Sequence, residues 1–174
     1  MRVLITGAGS YLGGAILGAL RKQGVEADEL DVRGALPEKA FQGYDRVVHV
    51  AGIAHRKETP ENRPLYEQVN HRLAVEIARA AKAQGVRQFV FFSTMSVYGK
   101  VTGRITADTQ PDPKNAYGAS KWAAEQEIAA LADEHFAVAV LRPPMIYGKG
   151  CRGNYQSLRR LILKTPMFPR CGNQ

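Results

Sequence analysis

Nowhere does this 174-residue sequence run apolar for the ~18 residues that a membrane-crossing helix needs. The opening Met1-Arg2 leads into Val3-Leu4-Ile5, too short a run for a signal-peptide core and with no small-residue cleavage site behind it. Neither feature points to export or anchoring, and a cytoplasmic location is the default expectation. Cysteine is scarce: Cys151 and Cys171 form no CxxC pair and have no histidine cluster beside them. Two thiols in a reducing compartment are the expectation, with a single disulfide as the alternative. Four histidines show no metal-ligand spacing, so no metal is expected; His49 reads as part of a buried strand, and His55, His71 and His135 as surface residues. Acid is missing from the end of the chain. Residues 1–134 carry 17 Lys/Arg and 16 Asp/Glu, whereas Arg142, Lys149, Arg152, Arg159, Arg160, Lys164 and Arg170 follow with no acid among them. Such a tail suits nucleic acid, an anionic small molecule or an acidic surface. It carries no RNA- or DNA-binding motif, so no nucleic-acid partner is expected. Repeats and low-complexity stretches are absent too.

What is present is an alternation of strand and helix periods, the pattern of an α/β fold with a parallel sheet. The apolar share of 45% supports a normal core, and the length suggests one domain. Strands are predicted at 2–6, 25–30, 46–50, 88–92 and 137–141. Helices are predicted at 11–23, 65–84, 116–134 and, with a basic surface, 155–163. The stretch 33–45 reads as irregular or as one helical turn near 37–41, and 99–115 as a polar loop.

The first strand runs straight into Thr6-Gly7-Ala8-Gly9-Ser10-Tyr11-Leu12-Gly13, where a helix begins. Glycines let backbone approach a pyrophosphate, and the helix start offers unpaired N–H groups and a positive dipole end. A glycine turn can also merely join strand to helix; its place after the first strand favours a dinucleotide. Asp31, at the end of the second strand, can accept hydrogen bonds from ribose hydroxyls and would repel a 2′-phosphate, which favours NAD over NADP. Arg33 argues the other way.

Tyr117-Gly-Ala-Ser-Lys121 sets a phenol and an ammonium one turn apart on one helix face. Redox chemistry at a sugar carbon needs a base for the hydroxyl proton. A nearby ammonium and a positive nicotinamide favour the phenolate, bringing it within working pH. An ordinary surface Tyr and Lys is the bland alternative. Against it stands the hydroxyl cluster Ser93-Thr94-Met95-Ser96, at the carboxyl end of an apolar strand, where open α/β sheets bind ligands.

Thr6–Gly13, Val47-Val48-His49-Val50-Ala51-Gly52, Ser93–Gly99, Tyr117–Lys121 and Leu141-Arg142-Pro143-Pro144-Met145-Ile146-Tyr147-Gly148 occur in one order and spacing. Together they resemble the extended short-chain dehydrogenase/reductase family, and within it the bacterial UDP-glucose 4-epimerase-like proteins. The resemblance implies a Rossmann-like, doubly wound parallel sheet with helices on both faces and bound NAD. It makes Tyr117 the base, Lys121 its activator and ribose ligand, and Thr94 the hydroxyl on the reacting sugar oxygen. Gly7, Gly9, Ser10, Tyr11, Leu12 and Gly13 would surround the pyrophosphate, with Asp31 on the adenosine ribose. Ala51, Gly52 and Pro144 would pass along the cofactor. Ser96, Met145 and Asn154 would meet the sugar nucleotide, and Asn70 is similar to the family's helix asparagine.

There are departures. Ser10 stands where a middle glycine is usual, Met145 replaces a common asparagine, and 32–45 is short. Met95 and Ser96 occupy the places of the acid and base that related 4,6-dehydratases use, so dehydration is not expected. Family members continue well past Gln174. The expected organisation is therefore an NAD-binding catalytic domain over 1–150 and the start of a substrate-binding region over 151–174, the rest of that region being absent. The chain as given is expected to bind NAD without turning over a sugar nucleotide, and to expose apolar groups such as Leu161, Leu163, Met167 and Phe168. The implied function is a nucleotide-sugar 4-epimerase acting through a transient 4-keto sugar, with a nucleotide-sugar partner and a homodimer in the complete protein. A nucleotide-sugar reductase, or a cofactor-binding fragment without turnover, is the alternative.

Overall fold

The structure, a computed structural model, describes residues 1–54, 58–151 and 154–165, and for Asn154 the backbone alone. It divides into two units, Met1–Pro144 and Met145–Gln174. In the first, five strands form one parallel sheet in the order β2-β1-β3-β4-β5: β1 Arg2–Thr6, β2 Glu26–Leu30, β3 Arg46–His49, β4 Gln88–Phe92 and β5 Ala137–Leu141. All five fall where the apolar runs predict them. The short stretch 32–45 makes a series of turns and no strand, so β2 is an edge. That stretch is nonetheless anchored. Phe41 is buried, its N–H donates to Gln84 Oε1 at 2.9 Å, and Gln84 Nε2 donates to the Glu38 carbonyl at 3.1 Å.

Helices cover both faces, as doubly wound sheets require. On one face α1 (Tyr11–Lys22) lays Ile16, Leu17 and Leu20 against Val3, Ile5 and Ala27. On the other, α3 (Leu73–Ala83) and α4 (Ala116–Ala129) pack Ala74, Ile77, Ala78, Ala81, Ala124 and Ile128 against Leu4, Val47, Phe89 and Phe91. Alanines dominate the helix side, so bulky sheet residues fill the layer between.

Three boundaries differ from the sequence expectation. The helix expected over 65–84 is α2 (Arg63–Tyr66), a π-helical segment (Glu67–Arg72) and α3 in succession. A π-bulge shifts the side chains that follow it around the axis and often marks a functional position; here it carries the fully buried Asn70. Helix α4 ends at Ala129 and not at 134. Asp133 Oδ1 accepts from the N–H groups of His135 and Phe136, and the buried Phe136 ring draws the chain into β5. A 3₁₀ turn, Met95–Tyr98, forms between β4 and the expected loop, where the sequence predicts no element.

In the second unit α5 (Asn154–Lys164) exposes Leu161 and Leu163, whereas Cys171, Met167 and Phe168 lie outside the described residues. Cys151 is buried, and its Sγ hydrogen-bonds the Ile146 carbonyl at 3.2 Å. Among the described residues no helix is long and apolar enough to cross a membrane, and no group of three His, Cys, Asp or Glu could hold a metal.

His49 sits in the core as its strand predicts. His71 does not sit freely at the surface: its two ring nitrogens meet Glu67 at 2.8 Å and Glu127 at 2.6 Å, joining the π segment to α4. His49 is stacked beside Phe89 and Phe91, and its Nδ1 pairs with the Thr6 hydroxyl at 2.7 Å. Burial, and then the charge of Lys121, pull its pKa down to about 3. The folded protein therefore keeps His49 neutral at pH values where the unfolded chain, near 6.5, takes up a proton. Stability from this group is complete above pH ~6.5 and falls below it by roughly 1.4 kcal/mol per pH unit. We predict that urea unfolding at pH 7 and pH 5 differs by about 2 kcal/mol more in the wild type than in His49→Gln; equal differences would show that His49 is not held neutral.

Candidate functional site

A parallel sheet brings every strand's carboxyl end to one edge, and a crevice opens there where successive crossovers run in opposite directions. In this sheet that point lies between β1 and β3, whose crossovers leave on opposite sides. The crevice is a cleft of about 1010 Å³, of the size that small-molecule sites have. Gly7–Ser10 after β1, Asp31 and Arg33 after β2, and Ala51–Ile53 after β3 line it, with Leu65, Gln68 and Arg72 from the helix opposite.

The glycine turn is tied down at both ends. Gly7 and Ala8 donate backbone hydrogen bonds to the Leu30 carbonyl, at 3.0 and 3.3 Å. Gly7 has φ +103°, and a Cβ on it would stand 3.0 Å from the Ala51 nitrogen. No other residue combines that conformation with that approach. Ser10 is the N-cap of α1, its Oγ accepting from the Gly13 N–H at 3.0 Å. Serine in place of a middle glycine is thus a capping choice. It leaves the first-turn N–H groups of Tyr11 and Leu12, which no helix pairs internally, at the cleft end of α1. No acidic residue stands in that turn to oppose an anion.

Asp31 lines the cleft with a partner that its sequence position alone does not reveal. Arg33 grips it through Nε, at 2.9 and 3.0 Å, and through Nη2 at 2.5 Å. These hydrogen bonds hold the exposed Asp31 carboxyl down at about 2. The arginine that argued for a 2′-phosphate is thereby occupied by the aspartate that argues against one.

Beyond the cleft, at the ends of β4 and α4, the expected catalytic residues come together in part. Thr94 is buried and caps the 3₁₀ turn, its Oγ1 accepting from the Ser96 N–H at 3.1 Å. Its hydroxyl neighbours the Tyr117 phenol and pulls the phenol's pKa down. Helix α4 starts just before Tyr117 because Asn115 Oδ1 accepts from the Gly118 N–H at 2.7 Å and Glu58 Oε2 from the Ala116 N–H at 2.8 Å. Gly118 lets the helix lie on the turn: a Cβ there would stand 2.6 Å from the Ser96 carbonyl oxygen. Lys121, one turn on, is buried. Its Nζ donates to the Phe92 carbonyl at 2.9 Å and lies 4.6 Å from the Phe91 ring centre.

The electrostatics differ from the sequence expectation. Burial raises the Tyr117 phenol above its ordinary value and the Thr94 hydroxyl opposes the rise, while Lys121 is directed at the Phe92 carbonyl. Burial lowers Lys121 to about 8, with Glu125 pulling the other way. Asn70 completes the group. It accepts from the Ile53 N–H at 2.8 Å, donates to the Ile53 carbonyl at 3.0 Å, and reaches Ser120 Oγ at 3.4 Å. Met145 belongs to the second unit, and the side chain of Asn154 lies outside the described residues. Sequence reasoning passed over Glu125 and Arg142. The available signal was a glutamate four residues after Lys121 on the buried face of α4, and an arginine closing an apolar strand.

Residues 3–165 match the NAD dependent epimerase/dehydratase family, and the chain belongs to it. It is 37% identical to the UDP-glucose 4-epimerase of Vibrio cholerae over 129 residues, 71% of this chain and 39% of that protein. It is 30% identical over 162 residues to a UDP-2-acetamido-2,6-beta-L-arabino-hexul-4-ose reductase of Pseudomonas aeruginosa, covering 90% of this chain and 39% of that one. Among solved structures, MoeE5 in complex with UDP-glucose and NAD is 28% identical, with a TM-score of 0.82 over 95% of this chain and 61% of that one. The chain thus spans less than two thirds of each of these relatives. NAD is the cofactor of the family, and the residues present fit it: backbone can approach at Gly7, the first turn of α1 contains no acidic residue, and Asp31 is a carboxylate lining the cleft.

Gly52 lies where cleft and catalytic group meet. A Cβ there would stand 2.9 Å from Asn70 Oδ1 and 3.3 Å from Lys121 Nζ. Both neighbours are buried and hydrogen-bonded, so neither yields freely. Gly52→Ala is expected to leave the chain folded and to weaken NAD binding about tenfold or more, ~1.4 kcal/mol. An unchanged dissociation constant by calorimetry would mean that the neighbours move aside.

Proposed function

We propose that this chain is the NAD-binding and catalytic part of a nucleotide-sugar epimerase that inverts C4 of a UDP-hexose through a transient 4-keto sugar. The observation that carries this reading is the gathering of Thr94, Tyr117 and Lys121 around the packing of α4 on the turn after β4, with Thr94 and Lys121 buried, at the sheet edge that also bears the cleft. On this reading residues 1–150 hold the cofactor and the reacting groups, and 151–174 begin the substrate-binding region.

Bound NAD supplies a reversible hydride acceptor. The protein's own task is the proton. Tyr117 takes it from the C4 hydroxyl, and Thr94 holds the same oxygen. Substrate binding and a positive nicotinamide ring favour the phenolate, against the burial that raises it. Lys121 remains charged below pH ~8 and orients the nicotinamide ribose. Gly7, Gly9, Ser10, Tyr11, Leu12 and Gly13 cradle the pyrophosphate, Ala51, Gly52 and Pro144 flank the dinucleotide, and Asp31 receives the adenosine ribose. Ser96, Met145 and Asn154 contact the sugar nucleotide. Similarity to the Vibrio epimerase supports the choice of reaction. The Pseudomonas relative supports a reductase as the second reading, and the two differ in cofactor accounting. Incubating the whole gene product with NAD and UDP-glucose or UDP-N-acetylglucosamine, and separately with NADH and a UDP-4-keto-hexose, tests both: C4-inverted product without net cofactor consumption supports the epimerase, stoichiometric oxidation of NADH by the keto sugar supports the reductase, and no C4-inverted product from either of the first two sugars overturns the first reading.

Two further outcomes are expected. Tyr117→Phe keeps fold and NAD binding but lowers turnover about 10²-fold or more, the scale of a lost general base, while Lys121→Met lowers turnover and loosens NAD as well. Near-normal turnover by Tyr117→Phe in a steady-state assay removes Tyr117 as the base. For the cofactor, Asp31 repels a 2′-phosphate and occupies Arg33, so NAD should bind at least about tenfold tighter than NADP, ~1.4 kcal/mol. Titration with both, finding NADP equal or tighter, would contradict that assignment.

A further inference from the structure

Behind the catalytic group lies an ion pair that the reaction described above does not use. Glu125 is 3% exposed, one helical turn beyond Lys121 on α4. Arg142, at the end of β5, grips it through Nε at 3.1 and 3.0 Å and through Nη2 at 2.5 Å. The same guanidinium donates from Nη1 to the Tyr98 hydroxyl at 2.6 Å, and its carbon lies 5.0 Å from the centre of the Tyr98 ring and 5.5 Å from that of Trp122. Tyr98 is the last residue of the 3₁₀ turn whose cap is Thr94. The contacts close a circuit: Thr94 to Tyr117, Tyr117 along α4 to Lys121 and Glu125, then Arg142 and Tyr98, and back along the turn to Thr94.

A buried ion pair is a poor way to gain stability, because desolvation offsets most of the attraction and apolar residues of the same volume do as well. Its position suggests another use. Lys121 is itself a buried cation. The groups around it are the Phe92 carbonyl and Phe91 ring from β4, the neutral His49 from β3, Asn70 from the π segment across Gly52, and Glu125 from its own helix. Glu125 is the carboxylate whose field opposes the burial of that ammonium. Side chains at i and i+4 are near neighbours on a helix, and charges at that range interact appreciably where water is excluded. Arg142 is partly exposed and so more screened by solvent than Glu125.

We propose that Glu125, clamped by Arg142 and Tyr98, is a positioning residue for the catalytic pair: its buried carboxylate keeps the Lys121 ammonium charged where it meets the Phe92 carbonyl. The proposal rests on the reading of Tyr117 and Lys121 given above. It makes the ion pair an electrostatic counterweight, with the circuit through Tyr98 keeping Thr94 in register with the same helix.

The two halves of the pair then act on Lys121 with opposite sign, which a purely structural clamp would not do. The test is titration of the folded full chain labelled with ¹³C at lysine Cε, followed by NMR, with the Lys121 signal assigned by its loss in Lys121→Met. Glu125→Gln removes the anion and leaves Arg142 unpaired, so the proton affinity of Lys121 should fall about tenfold or more, a midpoint lower by at least about one pH unit. Arg142→Gln leaves the anion unopposed, so the midpoint should stay or rise. If Glu125→Gln does not fold, the neutral pair Glu125→Gln with Arg142→Gln takes its place and should still lower the midpoint, by less. An unmoved midpoint in folded Glu125→Gln, or a fall in Arg142→Gln alone, overturns the proposal. An inactive Tyr117→Phe with an unmoved midpoint removes this proposal and keeps the catalytic reading; an active Tyr117→Phe with a moved midpoint does the reverse.

Discussion

Three glycines tie the parts of this site together, because at each of them backbone must meet backbone or a buried polar group. Gly7 passes the start of the segment after β3, Gly52 lies against Asn70 and Lys121, and Gly118 lies against the Ser96 carbonyl. The first approach sets the width of the cleft at the switch point. The second joins the cleft to the catalytic group. The third lets α4 come down onto the turn after β4, bringing Tyr117 to Thr94. Close packing leaves no slack of even one methyl group at such contacts, so the positions of Thr94, Tyr117 and Lys121 follow from these approaches as much as from their own hydrogen bonds.

The strands and the first helix were legible because their signals are local. Arg2–Thr6 and Gln88–Phe92 are apolar runs bounded by breakers, and the 3.6-residue period of α1 ends at Gly24. The glycine turn was legible for the same reason. The π segment was not, because its cause is distant in sequence: Asn70 is held inward by Ile53 and Ser120, and no periodicity around residue 70 records that demand. The early end of α4 likewise depends on Phe136 finding the core. Tyr117 and Lys121 could be placed on one helix face from spacing alone. That Lys121 is directed at the Phe92 carbonyl, and that Asp31 occupies Arg33, are outcomes of side-chain competition that spacing does not encode.

Electrostatically, burial works against the working forms of both central groups. Burial favours the neutral phenol at Tyr117 and the neutral amine at Lys121, whereas the proposed chemistry needs the phenolate and the ammonium. Opposing each is one polar or charged neighbour, Thr94 for the tyrosine and Glu125 for the lysine. Such a balance is sensitive. In a medium of low effective dielectric, a single added or removed charge shifts a protonation equilibrium by more than it would at a surface. A substrate hydroxyl at Tyr117, or a positive ring in the cleft, then acts on a phenol that burial holds neutral and on an ammonium brought close to its crossing point.

The same reasoning explains why His49 is part of the arrangement without titrating in it. A histidine beside a buried lysine would compete for positive charge if it ionised at ordinary pH. Burial between Phe89 and Phe91, and then the charge of Lys121 itself, keep it neutral, so Lys121 remains the cation of that layer. Thr6 is also the last residue of β1, immediately before Gly7. One side-chain pair therefore fixes the strand that launches the glycine turn and lines the floor under the ammonium. Cofactor cleft and catalytic group are coupled through β1 and β3 as well as through Gly52, and a change that displaces His49 should disturb both ends of the site together.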